Sequence, residues 1–208
     1  MSQEDASPGW RGRGLLPAER MTTTVKKPAT YEDLRALPET VVGELIGGEL
    51  TASPRPASRH AFASSALGGE LSGPFQRGRG GPGGWWIIDE PELHFGKDVL
   101  VPDLAGWKHT RMPVYPDASF FTLPPDWVCE VLSPSTAVLD RVRKMPVYMR
   151  ERVGHVWLID PVSRTLEIFR REEDRWVLVG NHGGDQGIRA EPFEAVELEL
   201  EALWLPSP

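Results

Sequence analysis

The chain has 208 residues, of which 40% are hydrophobic and 25% are charged, and its formal net charge is −7. This balance predicts one globular domain of ordinary size. The acidic surplus argues against a strongly adhesive nucleic-acid binder, because non-specific affinity comes mainly from Lys and Arg side chains that neutralise phosphates. It does not exclude a nuclease with a local basic cleft, since the distribution of charge matters more than its sum.

The single cysteine, Cys129, excludes both a disulfide within the chain and a zinc–cysteine site. A reducing, cytoplasmic location is therefore expected. No stretch approaches the roughly 18 apolar residues that span a bilayer. The N-terminus also lacks the apolar core of a signal peptide, so we expect a soluble protein that is neither exported nor bound to a membrane.

Residues 1–28 are rich in Gly, Arg, Ser and Pro and have no apolar period, which predicts a disordered leader before a domain over residues 29–208. Met21 is a candidate for the true start. Residues 31–38 follow Thr30 with an acidic first turn and a proline stop, which indicates a short helix. Residues 42–46 and 49–52 then flank two glycines and predict a hairpin.

Alanines and leucines recur over residues 57–71 and predict a helix, and residues 73–84, GPFQRGRGGPGG, predict a flexible connector. Apolar or alternating runs bounded by turn residues predict strands over residues 85–88, 92–95, 100–107, 127–132 and 156–159. The best candidate for a long helix, residues 136–151, lies between the last two strands. Strand, helix, strand in this order predicts a crossover unit within a sheet.

Near the C-terminus, residues 165–171 and 175–179 predict another hairpin, and residues 196–204 predict a last helix or strand. No internal repeat is present. The complete pattern predicts an α/β (α+β) fold, in which a mixed β-sheet is flanked by helices and accompanied by additional β-hairpins.

A glutamate lies in the middle of an apolar strand, WVCEVLSP, where Glu130 has apolar neighbours on both sides. Such a carboxylate is expected to be at least partly buried. A buried charge without compensation costs several kcal/mol or forces protonation. Three remedies exist: an Arg or Lys partner, a raised pKa, or a bound cation.

A second carboxylate, Asp103, follows Val101 and Pro102, and the proline indicates an edge or strand-end position. If the two strands are neighbours, Asp103 and Glu130 converge and repel one another unless a cation lies between them. Oxygen ligands without a His or Cys cluster favour Mg²⁺ or Mn²⁺ over zinc. The alternative is that each carboxylate pairs with an arginine or caps a turn.

The helix after Glu130 carries Asp140, Lys144 and Tyr148 on one face. One interpretation is a surface ion pair between Asp140 and Lys144. The other points Lys144 back at the carboxylates, where its ammonium would stabilise charge during phosphoryl chemistry. Pro146 either distorts this helix or opens a second helical segment at its first turn.

Several motifs follow one another in a specific order: residues 31–38, GELIGGEL, His60, VPDLAGW, WVCEVLSPST, DRVRK, Tyr148 and VWLIDP. This ordered series resembles the Uma family of restriction endonucleases, within the PD-(D/E)XK nuclease superfamily. The resemblance covers residues 28–205. It implies a restriction-endonuclease-like fold that places Asp103 and Glu130 on adjacent strands as metal-binding carboxylates. Glu44 matches the family's early glutamate, which completes the acidic cluster; the alternative is a solvated residue of a hairpin strand.

The chain departs from the superfamily pattern at Leu132, where a lysine is ordinarily found two residues after the glutamate. The Uma family shares this departure, and Lys144 matches the lysine that substitutes for it. The usual turn glycine before the last strand of the motif series is also displaced, over residues 152–155. His60 matches a family histidine, but a cap or a pairing partner outside the site is the expected role.

Five tryptophans fall within strand signals and are expected in the core or at a dimer contact, not on a base-stacking platform: Trp85, Trp86, Trp107, Trp127 and Trp157. Asp160, which precedes a proline, is expected to end its strand in a turn.

The leading functional hypothesis is a Mg²⁺-dependent (or Mn²⁺-dependent) endonuclease that hydrolyses DNA phosphodiester bonds through a metal-activated water. Asp103 and Glu130 would hold the ion, Glu44 would assist, and Lys144 would stabilise charge. DNA is the expected substrate and a homodimer the expected assembly.

The alternative is a non-catalytic nucleic-acid-binding or assembly protein that has kept the nuclease-like fold. An acid/base glycosidase is a third possibility, but the sequence carries no signature of a sugar cleft.

Overall fold

A computed structural model of the chain describes residues 27–206. All but the last two residues of the predicted leader, including the candidate start Met21, lie outside the described residues. Within residues 27–206, no helix is both long and apolar enough to cross a membrane.

The helices occupy four parts of the described residues, and two of these parts contain π-helical turns. In chain order they are α1 (Tyr31–Arg35), α2 (Ser58–Leu71) with a π-helical extension (Ser72–Gln76), a π-helical segment (Leu139–Lys144) that leads into α3 (Met145–Arg150), and a 3₁₀ helix (Leu200–Leu203).

The strands of the described residues form two larger sheets and one two-stranded ribbon. In chain order they are β1 (Val41–Ile46), β2 (Glu49–Pro54), β3 (Trp85–Asp89), β4 (Leu93–Phe95), β5 (Asp98–Leu100), β6 (Leu104–Lys108), β7 (Trp127–Val131), β8 (His155–Asp160), β9 (Thr165–Glu172), β10 (Arg175–Gly183), β11 (Gly187–Ile188) and β12 (Leu198–Glu199). The six-stranded sheet has the order β10-β9-β8-β7-β6-β3, and the four-stranded sheet has the order β2-β1-β5-β4.

The short-range predictions near the N-terminus are confirmed. Thr30 caps α1, and the Thr30 and Asp33 side chains each accept a hydrogen bond from the other residue's backbone N–H. Strands β1 and β2 pair in antiparallel register around Gly47 and Gly48, whose φ angles are 61° and 79°. A two-residue turn of this kind needs left-handed backbone at both central positions, which glycine adopts without steric cost.

The predicted crossover unit is also confirmed: β7 and β8 pair in parallel, whereas the other neighbours in the six-stranded sheet pair antiparallel. The connecting helix is π-helical over Leu139–Lys144 before it becomes α3. Pro146 is the second residue of α3, where its missing N–H is tolerated. The proline therefore opens a second helical segment, one of the two outcomes expected for it.

Two predictions about connections are wrong. Residues 100–107 are not one strand: β5 ends at Leu100 and β6 begins at Leu104, and they belong to different sheets. Pro102 cannot donate to a ladder, and the N–H of Val101 donates to a carboxylate instead. The start of the predicted connector over residues 73–84 is also helical, and Phe75 within it is buried against the Phe193 ring.

The hydrophobic core consists of two clusters, on the two faces of the six-stranded sheet. Successive side chains of β7 alternate between them, so Trp127 and Cys129 join one cluster and Val128 joins the other. By this alternation Glu130 lies on the face of Val128, where α3 packs. Four of the five strand tryptophans are buried, which confirms their predicted place in the core, and Trp86 is half-buried.

The C-terminal predictions hold with one extension. Strands β9 and β10 form the expected hairpin, and β10 continues to Gly183. Residues 196–204 contain both kinds of structure that were expected, a short strand (β12) and a 3₁₀ helix. Asp160 ends β8 and accepts hydrogen bonds from the N–H groups of Val162 and Ser163, which form the expected turn.

Candidate active site

A cavity of about 340 Å³ lies where the two larger sheets meet. Its wall is formed by the β1–β2 hairpin, the start of α2, the chain before β6, the end of β7 and the helix that follows β7. All four residues that the sequence proposed for the site line this cavity: Glu44, Asp103, Glu130 and Lys144.

Asp103, the residue before β6, and Glu130, in the neighbouring strand β7, both reach the cavity. Strands β6 and β7 are antiparallel, with Leu104 opposite Cys129, and continuing this register by one residue sets Asp103 across from Glu130. The Asp103 carboxylate accepts a hydrogen bond of 2.7 Å from the N–H of Val131. This bond fixes one oxygen of Asp103 to the end of β7.

Glu44 comes from the other sheet. It lies in the buried half of β1, and its side chain is 6% exposed. Its Oε1 accepts a hydrogen bond of 2.9 Å from the N–H of Val101, in the break between β5 and β6. Glu44 is therefore not a solvated residue of a hairpin strand, which was the alternative interpretation.

Lys144 lies among three carboxylates. Its Nζ is 2.9 Å from Glu44 Oε1, 3.0 Å from Glu130 Oε2 and 3.3 Å from Asp140 Oδ1, and its side chain is 5% exposed. Burial disfavours the charged ammonium, but these carboxylates outweigh burial and hold the pKa of Lys144 well above its usual value. The ion pair between Asp140 and Lys144 is thus buried, and the interpretation as a surface pair is wrong.

The π-helical segment explains why Asp140, Lys144 and Tyr148 share one line. A step of four residues rotates by slightly more than one full turn in an α-helix, which has about 3.6 residues per turn. In the wider π-helix the same step rotates by slightly less than one full turn. The first step, Asp140 to Lys144, lies within Leu139–Lys144, and the second, Lys144 to Tyr148, lies in α3. The two deviations offset each other, so all three side chains lie on the side of the helix that faces Glu130.

Tyr148 is a member of the site that the sequence did not identify as one. Its side chain is fully buried, and its hydroxyl donates a hydrogen bond to Glu130 Oε1. Burial, followed by the charges of Glu130 and Glu44, raises the pKa of Tyr148 well above its usual value. The spacing of Tyr148 from Lys144, which puts both on one helix face, was the sequence signal that could have identified Tyr148 as part of the site.

Glu130 is almost completely enclosed, with a side chain that is 2% exposed. Burial is the main cause that raises its pKa well above the usual value, and the nearby carboxylates act in the same direction, whereas Lys144 opposes them. Two of the three remedies expected for this glutamate, a basic partner and a raised pKa, are thus present together. Neither Asp103 nor Glu130 has an arginine partner within residues 27–206.

His60 also lies at the cavity, in the first turn of α2. Its Nε2 is 3.3 Å from Asp103 Oδ1, so it is a pairing partner, as expected, but it is not outside the site. Burial opposes protonation of His60, yet the hydrogen bond and charge of Asp103, together with the charge of Asp140, raise its pKa above the ordinary value.

The donor set fits a hard divalent cation in its chemistry and its charge. Glu44, Asp103, Glu130 and Asp140 line one cavity with a single lysine among them, and carboxylate oxygens are the ligands that Mg²⁺ and Mn²⁺ prefer. In the described part of the chain, however, no group of three or more His, Cys, Asp and Glu side chains converges on an ion-sized point. The Lys144 ammonium lies between Glu44 and Glu130 in this arrangement.

Comparisons with known proteins agree with this description. Residues 28–202 match the model of the Uma2 family, which is described as “Putative restriction endonuclease”. A crystal structure of “a putative nuclease belonging to DUF820 from Anabaena variabilis ATCC 29413” has a TM-score of 0.67 and 23% sequence identity, and the match covers 85% of this chain and 97% of that chain. No curated protein matches. The structural likeness confirms the predicted nuclease-like mixed α/β fold.

Proposed function

The chain belongs to the Uma2 family of restriction-endonuclease-like proteins, and from this premise we propose that it is a Mg²⁺-dependent endonuclease that hydrolyses phosphodiester bonds in DNA. The observation that carries the proposal is the placement of Asp103, the residue before β6, across from Glu130 in β7, at the wall of one cavity. Glu44 and Lys144 reach the same cavity from two further elements. Mn²⁺ is an alternative ion with the same ligand preference.

In this proposal Asp103, Glu130 and Glu44 hold the metal ion. A bound Mg²⁺ would supply Lewis-acid polarisation of a phosphoryl oxygen and would lower the pKa of a water molecule. Lys144 donates to Glu130 and carries a positive charge at the cavity, where it would stabilise the negative charge that develops on the phosphoryl group.

Hydrogen bonds within the protein orient the carboxylates of the proposed site. Backbone N–H groups fix one oxygen each of Glu44 and Asp103, and the Tyr148 hydroxyl fixes one oxygen of Glu130. His60 contacts the other oxygen of Asp103. Carboxylates that are oriented in this way lose little freedom on binding a cation, which favours affinity and correct geometry.

Nicking of a supercoiled plasmid tests the proposal. The wild-type protein should convert plasmid to the nicked form in Mg²⁺ and not in EDTA, and Asp103→Asn and Glu130→Gln should each abolish the reaction. Asp117→Asn is the matched control, because Asp117 is an exposed aspartate of a loop and does not line the cavity. Undiminished nicking by both site variants would overturn the assignment.

A second candidate function is a non-catalytic nucleic-acid-binding or assembly protein. One observation favours it: the Lys144 ammonium pairs with both Glu44 and Glu130 and so compensates part of their charge. Calorimetry with Mn²⁺ separates the two candidates, since an absence of any binding heat would favour the non-catalytic protein.

The homodimer and the cytoplasmic location stay predictions. Sedimentation velocity at several protein concentrations tests the homodimer.

A further inference from the structure

The cavity presents a charge problem to any nucleic acid. Among residues 27–206, five carboxylates line it: Glu44, Glu90, Asp103, Glu130 and Asp140. A phosphodiester carries a negative charge and is repelled by such a surface. A basic side chain at the cavity mouth that is not committed to these carboxylates would offset the repulsion.

Three basic side chains line the cavity among the described residues: Arg55, His60 and Lys144. Lys144 is 5% exposed and contacts three carboxylates, and His60 is 11% exposed and contacts Asp103. The Arg55 side chain is 58% exposed. Arg55 is thus the basic residue of the lining that solvent and a substrate can reach.

The guanidinium of Arg55 makes only weak contacts with its partners. One guanidinium nitrogen donates to the carbonyl oxygen of Glu39 at 3.1 Å, and another lies 3.6 Å from Glu90 Oε2. An exposed ion pair at this distance is weak. Pro56 restricts the backbone of Arg55, the residue before it, to extended conformations.

Glu90 occupies an unusual position beside the proposed metal ligands. Its φ is 44°, a left-handed conformation that is costly for a residue other than glycine. Its N–H donates to the carbonyl oxygen of Asp103 at 3.0 Å, which ties this turn directly to the site. Glu90 and Asp103 also border an adjoining cavity of about 250 Å³, so Glu90, the partner of Arg55, lines both cavities.

Building on the proposed nuclease function, we propose that Arg55 binds a backbone phosphate of the nucleic-acid substrate at the cavity mouth, and that Glu90 occupies Arg55 until the phosphate displaces it. The planar guanidinium can donate two parallel hydrogen bonds to a phosphate. Glu90, at 3.6 Å from the guanidinium, does not receive such a pair of hydrogen bonds. Glu90 then acts as a competitor that weakens binding, whereas Arg55 strengthens it.

The test is the binding of a fluorescein-labelled DNA duplex, measured by anisotropy in EDTA at several salt concentrations. Arg55→Ala should weaken binding by about tenfold and reduce the slope of log K against log salt by about 0.9, the contribution of one phosphate contact. Glu90→Gln, which leaves Arg55 in place, should strengthen binding by about threefold.

Arg175→Ala is the matched control. Arg175 is 77% exposed and lies 3.8 Å from Glu172, so it resembles Arg55 in exposure and pairing, but it does not line the cavity. The Arg175→Ala variant should bind the DNA duplex with the same affinity and the same salt slope as the wild type. Thermal unfolding of each variant verifies that the fold is intact.

The outcomes separate the inference from the function on which it rests. If the wild type binds DNA and Arg55→Ala has the affinity and salt slope of Arg175→Ala, the role of Arg55 is wrong and the nuclease proposal stands. A Glu90→Gln variant that binds more weakly than the wild type overturns the role of Glu90. If the wild type neither binds nor nicks DNA, the proposed function fails and the inference fails with it.

Discussion

The Lys144 ammonium lies 3.0 Å from Glu130 Oε2, and the two side chains are 5% and 2% exposed. This pair joins the first strand of the crossover unit, β7, to the helix that follows it. Removal of one partner of a buried ion pair leaves the other charge without compensation, which costs far more than the loss of a surface pair.

Replacement of Lys144 by Met should therefore destabilise the protein by about 3–5 kcal/mol. Urea unfolding at pH 7 in EDTA measures the loss. The double variant Lys144→Met/Glu130→Gln should recover part of it, because the buried charge is removed together with its partner. Lys97→Met, at an exposed lysine, is the control, and equal stability of Lys97→Met and Lys144→Met would contradict the importance of this buried pair.

The proposed metal ligands predict a measurable affinity for Mn²⁺. Calorimetry should detect binding to the wild type, and Glu44→Gln should weaken it by at least about tenfold. Glu49→Gln is the control, since Glu49 lies in the same hairpin but is exposed. Equal affinities of the Glu44 and Glu49 variants would remove Glu44 from the ligand set.

Loss of the Tyr148 hydroxyl should disturb Glu130 without removing the ring from the core. Tyr148→Phe leaves one oxygen of a buried carboxylate without its donor, so we expect a stability loss of about 1–3 kcal/mol. Metal-dependent nicking should fall by about 10–100-fold, as is typical when a residue that orients a metal ligand is lost. Tyr115→Phe, at a half-exposed tyrosine of a loop, should change neither quantity. Identical behaviour of the two variants would show that the hydroxyl of Tyr148 has no special role.

The contact between His60 and Asp103 predicts the titration of the histidine. The pKa of His60 should lie above 6.5, its ordinary value, because Asp103 and Asp140 favour the charged ring despite burial. NMR titration in EDTA measures this pKa. Asp103→Asn should lower it, whereas the control Asp117→Asn should leave it unchanged.

The sign of the accompanying stability effect follows from linkage. Because the folded protein holds the His60 proton more tightly than the unfolded chain, the stabilisation is fully present below pH 6.5 and is lost as pH rises through the pKa of the folded state. The stability difference between the wild type and His60→Gln should therefore be largest in acid and decline toward pH 8. A difference that grows with pH would contradict this assignment.

The displaced turn glycine also has a measurable consequence. Arg152 follows the helix end with a φ of 62°, a conformation that glycine adopts at less cost. Arg152→Gly should stabilise the protein by about 0.5–1 kcal/mol. Glu151→Gly, at a position with φ of −80°, should destabilise it instead. Thermal or urea unfolding of both variants checks the pair, and a loss of stability in Arg152→Gly would contradict the explanation.

What the sequence by itself determined is the local structure and the identity of the principal charged residues. The Thr30 capping box, the Gly47–Gly48 turn and the Asp160 turn depend on hydrogen bonds between residues a few positions apart, so their signals lie in a few letters. The resemblance to a nuclease family supplied the four proposed site residues, Glu44, Asp103, Glu130 and Lys144, and all four line one cavity.

Only the tertiary structure decided how these residues are surrounded. The Val101 N–H leaves the strand ladder for a glutamate 57 positions away, which divides the predicted strand over residues 100–107 in two. His60 joins the site because Asp103, from a different element, reaches it. Tyr148 and Asp140 face the carboxylates because a π-helical segment realigns them over a sheet that encloses them. Each of these outcomes depends on contacts between distant parts of the chain and on burial. A local sequence pattern encodes neither the long-range contacts nor the burial.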